Sequence, residues 1–136
     1  IQQAADSKEI ALEVKTRAPK QEVQVVEGGP GQPDLYTISL SGERSVQAYV
    51  DPGTSGANEV HFTFFDPSGG ELPVADARIN ATMTGGAAQE LEVRRLGPGH
   101  FVGGVDLDAG SWRFGAEATA EDGSALTAQF DQEIAG

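Results

Sequence analysis

The chain has 136 residues, with 9 Lys and Arg against 21 Asp and Glu and a formal net charge of −12 at pH 7, so its pI is near 4.3. That length suits one domain around one core, and the acidity argues against nucleic acid and against an anionic membrane surface as partners. With no cysteine in the chain, disulfides, thiolate catalysis and cysteine-ligated metal centres are excluded.

The apolar fraction is 38%, and the 18 glycines bring it into the range of about 45–50% usual for folded domains when Gly is counted. No apolar run approaches the roughly 20 residues that a transmembrane helix needs. No secretory leader is recognisable. The first residue is Ile1, which suggests a processed or excised form and leaves room for a membrane segment beyond either end.

Residues 1–34 read as a tether with edge strands. Residues 9–15 and 22–27 alternate apolar and polar side chains. Gly28-Gly29-Pro30-Gly31-Gln32-Pro33 reads as a loop. Residues 35–136 read as the domain proper. Short alternating runs at 35–40, 45–51, 59–66, 77–84, 89–96, 100–107, 111–120 and 125–134 are the predicted strands. Pro52-Gly53, Pro67-Ser68-Gly69-Gly70, Gly85-Gly86, Gly97-Pro98-Gly99 and Asp122-Gly123 separate several of them. This spacing predicts an all-β fold, an Ig-like antiparallel β-sandwich of about seven to nine strands.

Alternation also assigns faces. Val60, Phe62 and Phe64 point inward, as do Ala77, Ile79, Ala81 and Met83. Phe101, Val105 and Leu107, then Trp112, Phe114, Ala116 and Ala118, and finally Leu126, Ala128 and Phe130 complete the expected core. His61, Thr63 and Phe65 fall on the opposite face, and His100 falls opposite Phe101. Both histidines are therefore expected to be exposed. Asp66-Pro67-Ser68-Gly69 predicts a turn with Gly where φ is positive, and Gly97-Pro98-Gly99 is expected to do the same. Asn58 is expected to bond the backbone of its own loop.

Three stretches carry a resemblance: Pro52-Gly53-Thr54-Ser55-Gly56-Ala57-Asn58, Asp66-Pro67-Ser68-Gly69-Gly70-Glu71-Leu72-Pro73-Val74-Ala75-Asp76-Ala77, and Gly97-Pro98-Gly99-His100-Phe101 followed by Ala109-Gly110-Ser111-Trp112. In order and spacing they resemble the YtkA-like extracytoplasmic domain of the bacterial copper-resistance protein D family, whose members are multi-helix membrane copper proteins. The resemblance covers about residues 46–134. One departure is Ala57, where the family often has Pro. The motifs are mainly turn chemistry, so they speak for fold more than for activity.

The resemblance implies a non-enzymatic extracytoplasmic domain of a copper-resistance or copper-transport protein, tethered to the membrane in the full-length molecule. Its expected partners are the membrane portion of the same protein or a periplasmic copper carrier. His61, His100 and Met83 are the residues suited to copper, since imidazole binds Cu(II) and thioether suits Cu(I). Met83 also shares the row of Ile79 and Ala81, which favours a core role. Calcium is a second metal, through Asp51, Asp66, Asp76, Asp106, Asp108 and Asp122. The spread of these acids along the chain favours a solvated surface instead. Phe65, if outward, is a candidate contact for a partner. Asn80-Ala81-Thr82 has the glycosylation pattern, which the bacterial origin implied by the resemblance would make incidental. No nucleophile, acid–base pair or phosphate loop emerges. The competing function is a structural or adhesive Ig-like surface module without metal.

Overall fold

A strand buries one face only if its side chains alternate, and the chain obeys this closely. The computed structural model describes residues 22–30 and 32–136. Among them run β1 (Val23–Val26), β2 (Leu35–Ser39), β3 (Ser45–Asp51), β4 (Gly56–Phe65), β5 (Val74–Met83), β6 (Gln89–Glu90), β7 (Glu92–Arg95), β8 (His100–Leu107), β9 (Gly110–Ala120) and β10 (Ala125–Ile134). They form a six-stranded sheet, β1-β2-β3-β4-β8-β7, and a four-stranded sheet, β10-β9-β5-β6. All strand pairs in both are antiparallel. The architecture is an all-β sandwich. The expected strand at 9–15 lies outside the described residues.

The inward rows meet in one core. Phe62, Phe64 and Phe114 are fully buried, together with Ile38, Ile79, Val46 and Val60. Phe130 stands at its centre. Its ring lies 4.3 Å from that of Tyr36 in a stacked pair, and 5.4 Å from that of Phe114. Trp112 anchors one end and donates its indole N–H to the Asp108 carbonyl at 2.8 Å. An indole N–H buried without such a partner is costly.

Two expectations are corrected. Residues 89–96 are not one strand. β6 pairs with β5 in one sheet, whereas β7 pairs with β8 in the other. Leu91 between them is buried, and its N–H bonds to the Ile79 carbonyl at 2.9 Å. The chain thus crosses from sheet to sheet at one apolar residue, a corner typical of sandwiches. With β1 added, this brings the count among the described residues to ten.

The second correction concerns glycine. Gly69 has φ 91° as expected of its turn. Gly97 and Gly99 do not have positive φ; they are held by space instead. A Cβ on Gly99 would stand 2.2 Å from the Leu72 carbonyl oxygen, far inside van der Waals contact. The Gly99 N–H donates to the Glu71 carboxylate at 2.7 Å.

Turn and edge side chains fix the frame. The Asp66 carboxylate accepts from the Ser68 N–H, the Ser68 hydroxyl and the Gly70 N–H. Arg95 reaches the carbonyls of Val74, Ala75 and Pro98 and lies 4.8 Å over the Phe101 ring. It ties β7 to the start of β5.

Candidate functional site

β4 and β8 are neighbours in the six-stranded sheet, with His61 opposite Val102 and Thr63 opposite His100. His61 and His100 are therefore diagonal neighbours on the face turned away from the core. Such pairs stand within reach of ring side chains. The rings meet: His61 Nδ1 is 3.1 Å from His100 Nε2.

The remaining contacts orient His61. Tyr49, directly opposite on β3, stacks on its ring at 4.4 Å with the planes 9° apart. On the far side of the ring, His61 Nε2 lies 3.4 Å from Glu59 Oε1. The other oxygen of Glu59 accepts from Arg94 at 3.3 Å. Gly104 faces Glu59 across the ladder and presents no side chain there. Val102, beside His61, is buried although it stands outside the main core.

These contacts correct the expected exposure. The outward direction holds, but His61 is only 8% exposed and His100 is half-buried. Alternation assigns a face and cannot see that a tyrosine and a second imidazole will cover it. Burial, and next the neighbouring His61, hold the His100 imidazole below its ordinary range, while Glu71 pulls the other way. Burial, followed by Asp51 and Glu59, pushes the Tyr49 phenol up.

Glu59 decides the protons. A carboxylate only accepts, so His61 Nε2 must carry a hydrogen to bond it. In the neutral ring, Nδ1 is then bare and accepts from His100 Nε2–H. These tautomers are assigned from the network of partners.

The other candidates stand apart from this pair. Met83 lies in the four-stranded sheet, half-buried against the core, and lines a shallow concavity with Trp112 and Arg113. Phe65 ends β4, half-buried, and bridges Glu71. Asp66 and Asp122 are taken up in turn hydrogen bonds. Among the described residues, no group of three or more His, Asp or Glu side chains gathers as a metal site. Sequence reasoning passed over Glu59 and Tyr49. The spacing Glu59-x-His61 places both on one face and is readable; Tyr49 and His100 join only through the strand register.

No family model matches the chain, and no curated protein does. Similar solved structures include the following two. A DUF4426 family protein from Pseudomonas aeruginosa PAO1 aligns with TM-score 0.57 and 16% identity, over 82% of this chain and 96% of that one. A DUF4785 family protein from Legionella pneumophila aligns with TM-score 0.55 and 14% identity over 68% of this chain. The chain spans 28% of that second protein. At such identities the likeness is one of fold.

Proposed function

We propose that the chain is a non-enzymatic, extracytoplasmic module of a copper-handling membrane protein, of the YtkA-like kind, and that His61 and His100 offer Cu(II) a weak site. The observation that carries the reading is the 3.1 Å separation of His61 Nδ1 and His100 Nε2. Two imidazole nitrogens on one ion at a right angle stand about 3 Å apart, given the roughly 2 Å metal–nitrogen distance seen with zinc. Imidazole also suits copper. To take the ion, His100 gives up its Nε2 hydrogen and holds one on Nδ1 instead, so the ring stays neutral.

Two nitrogens leave the coordination incomplete. The open positions fall to water or to donors on the membrane portion of the same protein or on a periplasmic carrier, which accounts for weak rather than tight binding. Met83, on the other sheet, takes no part. The competing reading is a structural or adhesive surface module. It is favoured by the exposed valines of β1, Val23, Val25 and Val26, on an edge that pairs with nothing further among the described residues. Exposed edges of this kind recruit partners.

A competition titration with Cu(II) separates the two. Wild type is expected to bind one ion at micromolar strength. His61→Ala and His100→Ala are each expected to weaken binding tenfold or more, about 1.4 kcal/mol, with the fold checked by thermal melting. Binding that is absent in wild type, or that survives both substitutions, overturns the copper reading and leaves the surface module.

A further inference from the structure

We infer that Glu59 is a positioning residue: it holds His61 in the Nε2–H tautomer and so keeps the Nδ1 lone pair bare and pointed at His100. This rests on the reading of the pair as a copper site for its purpose, but its physical content concerns the chain alone. The geometry has three parts. Glu59 and His61 are two residues apart on β4, so their side chains leave the same face. One carboxylate oxygen meets His61 Nε2. The other is held by Arg94 on β7, a strand on the far side of β8.

Arg94 holds one oxygen of the carboxylate and His61 the other, so both ends are anchored. A free surface glutamate samples many rotamers, and a single exposed ion pair contributes little to stability. Here the same contact does something else. It turns Glu59 so that its second oxygen faces the ring. Tyr49 stacks on His61 and limits rotation out of that plane. The ring is therefore fixed in plane by Tyr49 and in tautomer by Glu59. In metal sites a carboxylate on the far imidazole nitrogen has this effect and raises the basicity of the ligating nitrogen, and its loss typically weakens binding about 10–100-fold.

The chain has two histidines, so the test is simple to read. Long-range proton–nitrogen NMR correlations at neutral pH report which ring nitrogen carries hydrogen. Wild-type His61 is expected as the Nε2–H form. Glu59→Ala is expected to give a mixture of tautomers. Glu59→Gln offers one acceptor where the carboxylate offers two; with Arg94 on that oxygen its amide NH2 faces the ring, so His61 is expected to shift toward the Nδ1–H form. Glu59 is half exposed, and thermal melts of the variants should stay close to wild type. In the Cu(II) titration, Glu59→Ala is expected to bind about tenfold more weakly, and Glu59→Gln at least as weakly, since a hydrogen on Nδ1 blocks that nitrogen. An Nδ1–H tautomer in wild type, or a spectrum unchanged in Glu59→Ala, overturns the inference whatever copper does. The expected tautomer change without copper binding in wild type upholds Glu59's positioning role and removes only the copper reading.

Discussion

Asn58 shows how much one side chain settles. It is 4% exposed, at the inner start of β4, where a polar group is costly unless bonded. Its carbonyl oxygen accepts from the Gly53 N–H at 2.7 Å. Its amide nitrogen donates to the carbonyls of Thr54 and Gly56. Asn58→Ala leaves those backbone groups unpaired, and it is expected to lower stability by about 1–3 kcal/mol in denaturant unfolding. Asn58→Asp keeps the acceptor but loses both donor bonds, so it should also destabilise. This role was legible in the sequence, because the loop that Asn58 bonds is its own neighbour. The meeting of His61 with His100 was not, since it depends on pairing across 39 residues. Tyr49 was equally hidden, although its position opposite His61 follows at once when β3 and β4 are aligned.

At the scale of elements, the strand limits follow from local signals and the sheet membership does not. β3, β8 and β10 lie where alternation places them. The stretch 89–95 alternates like one strand, yet its two halves belong to different sheets. Nothing local marks the division except Leu91, an apolar residue with no outward role. Arg95 closes the same region. Its guanidinium serves three carbonyls on two segments and covers the Phe101 ring. An ammonium cannot match this planar fork. Arg95→Lys is therefore expected to destabilise by about 1–2 kcal/mol, and Arg95→Ala by more. Both are measurable as shifts of the urea midpoint. A midpoint unchanged in Arg95→Lys would show that charge alone suffices.

At the scale of the whole molecule, pH acts on the two ends of the titration differently. Tyr36 is buried against Phe130. Burial, with Asp34 and Asp131 nearby, pushes its phenol up from 10.0 to about 12. The unfolded chain loses this proton first, so the stabilisation is complete below pH 10 and is lost as pH rises toward 12. Two pKa units correspond to at most about 3 kcal/mol. Tyr36→Phe is expected to remove that part of the alkaline fall in melting temperature. At the acid end, hydrogen bonds from Ser124, and next Arg44, hold the Asp122 carboxyl down at about 2. Its contribution is present above pH 3.8 and fades as pH falls through 2. The corner at Leu91 has its own consequence. Leu91 is buried in the one core that both sheets share, so losing either layer would expose the apolar face of the other to water. The two sheets are bound into one cooperative unit. Under native conditions the slowest-exchanging amides of β4 and those of β9 should therefore report the same opening free energy, that of global unfolding.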